Sequence, residues 1–252
     1  VSYVLLCGAM FAGAGALFEE QWGIPYFVGA LVTAVLTLLV TLWGVQGVLA
    51  INTVIVPLLI ASSVLAFIHT VRNQFLPAAS LEIVAPQGIF PIIRTGLTYA
   101  SFNLVLSIGV LAPMGGATQD RKSLSFGSLL GGGLLTVLLC MGNYSLLHYV
   151  PEVFDRQIPQ LLIVQEMGKT FVTFYSLVVW MEIFSTSVGN LFSVHTMIQE
   201  KFKTKSALPA IAATAAGLII CVMGFSNIIS RFYPILGIIG FVLSALILIL
   251  KE

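Results

Sequence analysis

Residues 178–190 read VVWMEIFSTSVGN and lie inside a long apolar segment, 171–198. Glu182 falls about eleven residues into that segment, roughly 16 Å along a helix axis. A charge near mid-membrane costs about 2.5–3.5 kcal/mol even on a lenient insertion scale, so such residues face a bundle interior or a wet cavity. Glu182, Ser185, Thr186, Gly189 and Asn190 stand at i, i+3, i+4, i+7 and i+8, and Ser193 continues the series. That spacing gathers them on one helical face. Small and hydroxylated residues also line ordinary helix contacts, and a structural carboxyl can be held protonated or hydrogen-bonded. The joint pattern favours a site. The stretch therefore reads as a membrane helix with one polar stripe turned toward other helices.

Composition agrees. The 252 residues are 58% hydrophobic and 8% charged, with net charge +1 and a mean hydropathy of +1.05. Soluble chains carry about 25% charged residues. No dense basic tract exists to hold a phosphate backbone, so nucleic acid is not an expected partner. Cys7, Cys140 and Cys221 lie in separate apolar segments and form neither a disulfide framework nor a metal motif. There is no HExxH, GxSxG or P-loop, and no serine beside a buried histidine, so no enzyme is expected. The chain opens at Val1 within an apolar run without a basic leader, and we expect it to begin inside a longer protein.

Eight apolar segments can be counted: 2–18, 25–43, 47–70, 89–114, 124–149, 171–198, 207–223 and 229–250. Each is close to the length of a span, and helices satisfy their own backbone in lipid. A short surface helix is expected over Ile158–Met167, and a longer connection over Arg72–Gly88. Arg121 and Lys122 follow the fourth segment, and Lys201, Lys203 and Lys205 follow the sixth. Both loops fall on one side, which the lysine and arginine bias assigns to the cytoplasm. Glu19, Glu20, Glu82, Glu152, Asp155 and Glu166 fall on the other, with Arg72, Arg156 and Lys169 among them. His69, His148 and His195 sit near segment ends, as interfacial residues would.

Two weak internal matches point to duplication. Gly13–Phe18 resembles Ser187–Phe192, 174 positions on; Gly47 and Pro57 resemble Gly224 and Pro234, 177 positions on. The pairing sets segments one to three against six to eight, with opposite topology, and predicts two further helices ahead of Val1. The result is a 5+5 inverted-repeat core. On this reading residues 1–252 form a single membrane transport domain: 1–71 holds the last three helices of the first repeat, and 88–250 the five of the second.

The centre of the fourth segment, Thr98-Tyr-Ala-Ser-Phe-Asn103, is polar and aromatic, flanked by Gly96 and Gly109. It is a candidate for a broken helix lining a solute site, although a continuous helix with a polar face fits as well. Arg94 near its outer end is expected to snorkel to the interface. Gly8, Ala9, Ala12, Gly13, Ala14, Gly15 and Ala16 of the first segment suit close packing or a cavity wall.

EEQWGIPYFVGALVTAVLTLLV, TYASFNLVLSIGVLAP and MEIFSTSVGNLF together resemble the YkvI-type family of uncharacterised bacterial membrane proteins. That family is placed among the amino acid–polyamine–organocation transporters, with the LeuT-type fold. The resemblance implies that the eight segments are the third to tenth helices of that fold, and that the glycine-rich first helix is missing here. It places Tyr99, Ala100, Ser101, Phe102 and Asn103 at the unwound sixth helix, beside substrate. It aligns Ser185, Thr186 and Ser187 with hydroxyls that coordinate sodium in sodium-coupled members. The third segment has Asn52, Ser62 and Ser63 but no lysine of the proton-coupled kind. Sodium, or a proton on Glu182, is then the coupling ion, with Ser185 and Thr186 as sodium ligands and no other cofactor.

The expected protein is an all-α polytopic secondary transporter of a bacterial cytoplasmic membrane, a symporter for an amino acid or similar small solute working by alternating access. A solute-sensing receptor subunit with the same fold, or a channel, is the alternative; polarity gathered in two mid-membrane patches argues against a channel. The expected partners are a small solute and the lipid bilayer; the sequence names no protein partner.

Overall fold

A computed structural model describes residues 2–73, 88–117, 120–156 and 158–249. Helices α1 (Ser2–Trp22), α2 (Tyr26–Leu42), α3 (Val45–Asn73), α4 (Ile89–Ala117) and α5 (Arg121–Leu147) come first. A short 3-10 turn, Glu152–Asp155, and helix α6 (Gln160–Gln165) follow. Then come α7 (Lys169–Phe202), α8 (Leu208–Cys221) and α9 (Phe225–Ile249). No strand occurs among the described residues. Most of the expected Arg72–Gly88 connection lies outside them.

Six of the described helices are long and apolar enough to cross a membrane: α1, α5, α7 and most of α3, α4 and α9. The eight expected spans are all apolar helices, but α2 and α8 have 17 and 14 residues, about 26 and 21 Å of rise. Their outward surfaces are hydrocarbon: Leu129 of α5 and Ile219 of α8 are each 74% exposed. Apolar exposure on this scale fits lipid rather than water.

The residues fall into two compact units that interleave along the chain. The first comprises Val1–Ala50, Pro86–Met114 and Ile183–Glu252; the second, Ile51–Ala85 and Gly115–Glu182. The boundary falls inside α3, α4 and α7.

In the first unit α1 is the central helix, buried from Leu6 to Leu17 apart from half-buried Met10. Its small residues are packing residues. A Cβ on Gly8 would meet Ile220 Cβ at 2.7 Å, and one on Gly15 would meet the Tyr26 carbonyl at 2.8 Å. Only glycine lets α8 and α2 approach that closely. Helix α7 runs antiparallel to α1: Cys7 meets Ser187, with its Sγ 4.0 Å from the carbonyl, while Gly13 meets Ile183. Helix α2 forms a hairpin with α1, and its first residue, Tyr26, reaches the last of α8: the Tyr26 hydroxyl donates to the Cys221 carbonyl at 2.8 Å.

The turns of this unit repeat. Gly23 ends α1 at φ +63°, and Lys203 ends α7 at φ +48°. Gly44 separates α2 from α3 at φ +81°, and Gly224 separates α8 from α9 at φ +80°. At the second pair the hydrogen bonds match as well. Trp43 and Gly44 N–H donate to Val40 and Thr41, and Met223 and Gly224 N–H donate to Ile220 and Cys221, all at 3.0 Å. Between these turns, the order of buried, half-buried and exposed residues from Ala30 to Gly44 is the same, residue for residue, as from Ala210 to Gly224. The spacing is 180 positions throughout, a register that neither the Gly/Phe match at 174 nor the Gly/Pro match at 177 gives.

In the second unit, the expected surface helix at Ile158–Met167 is corrected. Helix α6 spans Gln160–Gln165, and Leu161, Leu162, Ile163 and Val164 are all buried. Four consecutive apolar side chains cover most of the helix circumference and are enclosed, while Gln160 and Gln165 at its ends are exposed. Phe67 of α3 meets Tyr144 of α5 edge to face, with centroids 5.8 Å apart, and His69 Nε2 lies 3.9 Å from Glu166 Oε2. Asp120 caps α5, accepting from the N–H groups of Lys122 and Ser123.

Candidate functional site

The polar stripe of α7 is continuous helix, from Lys169 to Phe202. Glu182, Ser185 and Thr186 are half-buried, while Asn190 and Ser193 are buried. Ser193 satisfies itself by donating to the Gly189 carbonyl at 2.7 Å. Asn190 is 4% exposed, and its Nδ2 has no hydrogen-bond partner among the described residues. A buried amide left in that condition costs about 1–3 kcal/mol, so this part of the stripe has unused donor capacity.

Ser187 is set apart from its neighbours. It lies 140° around the helix from Glu182 at 100° per residue, fully buried against α1. Its hydroxyl donates to the Ile183 carbonyl at 2.8 Å, and its own carbonyl faces Cys7. The structure therefore groups Ser185 and Thr186 with Glu182 along the stripe and places Ser187 in the α1–α7 contact.

Below Glu182 the second unit extends the stripe. Tyr175 stands two turns earlier on the same face and is 3% exposed. Its hydroxyl lies 3.4 Å from Gln160 Oε1, at the start of α6. Sequence reading missed both residues. The i−7 spacing from Glu182 would have found Tyr175; nothing local points to Gln160.

The helix break expected at the centre of α4 is corrected. Helix α4 runs unbroken from Ile89 to Ala117. Its polar side chains bond back to their own helix: Thr98 Oγ1 to the Arg94 carbonyl at 2.8 Å, and Asn103 Nδ2 to the Tyr99 carbonyl at 2.9 Å. These i to i−4 bonds satisfy the side chains without opening the backbone. The five candidate residues also divide between faces. Ser101 and Phe102 are buried; Tyr99 and Ala100 are exposed; Asn103 is half-buried. Phe102 stacks on Tyr233 of α9, centroids 4.3 Å apart, and clusters with Leu6 of α1 and Leu236. Thr98 packs where a Cβ on Gly237 would stand, so a glycine in α9 lets the two helices close.

The histidines expected at the interface are partly enclosed. His148 and His195 are 8% and 7% exposed. His148 Nδ1 lies 3.0 Å from the Tyr144 carbonyl; a carbonyl only accepts, so Nδ1 carries the proton there. Cys7 and Cys221 are buried free thiols and Cys140 is an exposed one. Among the described residues no group of three His, Cys, Asp or Glu side chains could hold a metal ion.

Long apolar helices, hydrocarbon outer surfaces and a polar stripe turned inward define a polytopic α-helical integral membrane protein. The chain belongs to the YkvI family: it is 32% identical over 244 residues to the uncharacterised membrane protein YkvI of Bacillus subtilis (strain 168), a match covering 94% of this chain and 68% of that relative. It is also similar to the uncharacterised protein YyaD of the same organism, 20% identical over 243 residues, covering 95% of this chain and 69% of the other. No protein-family model matches the chain, and no solved structure does.

Proposed function

We propose that the protein is the greater part of a secondary active transporter of the bacterial cytoplasmic membrane, a cation-coupled symporter for an amino acid or similar small solute. The observation that carries the reading is the correspondence at 180 positions. Helices α2 and α8 match in burial from Ala30 to Gly44 and from Ala210 to Gly224, the turns before and after them match in backbone conformation, and α1 runs opposite to α7. Inverted-topology repeats of this kind underlie alternating access, with sites placed where the repeats meet near mid-membrane. In a LeuT-type 5+5 core the helices other than α6 are the third to tenth.

Within that reading the α7 stripe is the coupling site. Glu182 supplies charge, and Ser185 and Thr186 supply hard oxygen ligands one turn away. Ser101 and Phe102, on the buried face of α4, are the residues through which that helix meets the solute. Hydroxyl and carboxylate oxygens suit sodium; the carboxylate alone suits a proton.

The test is uptake of a panel of labelled amino acids by the full-length protein in proteoliposomes, with a sodium gradient and a pH gradient imposed separately. Accumulation of one solute above its equilibrium level under one gradient is expected. Solute binding without gradient-driven or exchange flux would instead identify a sensor.

A further inference from the structure

An open groove of about 390 Å³ lies in the first unit, lined by Val4 of α1, Val194 and Ile198 of α7, and Leu208, Ala212 and Ala216 of α8. Its lining is almost wholly hydrocarbon. One end lies at the α7–α8 turn, where Lys201, Lys203 and Lys205 are all exposed. Hydrogen bonds hold the turn. Thr204 N–H donates to the Gln199 carbonyl at 3.1 Å, Ser206 N–H to Thr204 Oγ1 at 3.2 Å, and Leu208 N–H to Ser206 Oγ at 3.1 Å. Glu200 is the acidic neighbour in sequence, and no ion pair engages the three lysines among the described residues.

The related α1–α2 turn provides an internal comparison. Its backbone bends the same way, yet it carries Glu19 and Glu20 and no lysine. Where it has Gly23, the α7–α8 turn holds Lys203 in the left-handed region, a conformation that costs a non-glycine residue. The interior differs in the same sense. Phe18, Val32 and Leu36 stand at the positions related to Ile198, Ala212 and Ala216. Phe18 seats against α2 where a Cβ on Gly29 would stand. A large Phe18 seats in one hairpin, while smaller side chains stand at the related positions of its counterpart, beside three exposed lysines, of which Lys201 lies 5.8 Å from the Phe202 ring centroid.

We propose that the α7–α8 hairpin is a binding site for an anionic phospholipid, with an acyl chain in the groove and the phosphate of the headgroup against Lys201, Lys203 and Lys205. The lysine bias puts this turn on the cytoplasmic side, where the leaflet is rich in anionic lipid. Each lysine near such a surface strengthens binding by about fivefold. The site depends on the membrane class alone and not on transport.

Native mass spectrometry of the full-length protein in detergent, titrated with phosphatidylglycerol or phosphatidylcholine of identical acyl chains, tests the site. Phosphatidylglycerol should be retained at least about tenfold better. Replacing Lys201, Lys203 and Lys205 together by glutamine should bring it down to the phosphatidylcholine level, and replacing all three by arginine should preserve it. Ala212→Leu with Ala216→Leu should reduce retention of both lipids, while free glycerol phosphate should displace neither. Equal retention of the two lipids by the wild type would overturn the proposal. So would a groove-filled variant that binds normally, displacement by free glycerol phosphate, or a lipid-independent dimer that the groove-filling substitutions abolish.

Discussion

The Tyr26 hydroxyl, at the first residue of α2, donates to the Cys221 carbonyl, at the last residue of α8, at 2.8 Å. The two helices related by the 180-position spacing are thereby joined end to end. The bond also occupies a carbonyl at the end of α8, where helical partners run out. Tyr26→Phe removes the donor and keeps the ring. Loss of about 1 kcal/mol is expected, seen as a melting temperature lower by about 2–4 °C in a fluorescence thermal-shift assay. An unchanged melt would show that the bond contributes nothing.

Glycine contacts divide sharply by location. Gly8→Val puts carbon where Ile220 already stands, its Cβ falling 2.7 Å from that of Ile220. Overpacking of this kind costs about 1–3 kcal/mol, so reduced yield of folded protein is expected in detergent gel filtration. Gly131→Ala on α5 meets nothing within 4 Å and should be neutral or slightly stabilising. Equal behaviour of the two variants would count against the α1–α8 packing.

Asp120 makes a pH-dependent cap. Its carboxylate accepts from Lys122 N–H at 3.0 Å, Ser123 N–H at 3.2 Å and the Ser123 hydroxyl at 2.5 Å. The Ser123 hydroxyl bond first, then the two backbone bonds, hold its pKa below the ordinary value. A folded-state pKa depressed in this way gives stability that is fully present above the unfolded pKa, about 3.9, and is lost as pH falls through the folded value. Asp120→Ala should therefore lower the melting temperature at neutral pH, and the deficit should narrow below about pH 4. A deficit that grows in acid would contradict the assignment.

The two coupling ions predict different mutant behaviour in the vesicle assay. With sodium, Ser185→Ala and Thr186→Ala raise the sodium concentration needed for half-maximal uptake, by about tenfold for the loss of a charge-assisted contact, and Glu182→Gln is tolerated. With a proton, Glu182→Gln abolishes pH-driven accumulation but leaves solute exchange intact. Normal coupling in all three variants, at normal expression, leaves Glu182 as a structural residue.

Much of this protein is local information. Hydropathy placed it in a membrane, because about 20 apolar residues in a row have no other stable home. The same reading located eight helices to within a few residues, and the 3.6-residue period drew Glu182, Ser185, Thr186 and Asn190 onto one face. What depends on a choice between local hydrogen bonds, or on distant partners, could not be read this way. Thr98 and Asn103 looked like helix breakers until their bonds to Arg94 and Tyr99 carbonyls were visible. The resemblance set Ser187 beside Ser185 and Thr186 as a sodium-coordinating hydroxyl, whereas Cys7 of α1 lies against its carbonyl. The four apolar letters between Gln160 and Gln165 mark that short helix for burial, but not which elements enclose it. The repeat register shows the limit most clearly. Matching letters gave 174 and 177, while the folded turns give 180. Position 23 and position 203 share a backbone bend as glycine and lysine, and positions 33 and 213 share burial as threonine and alanine. Several residue types can satisfy the same φ value and the same packing face, so turns and burial correspond at 180 positions where the letters do not.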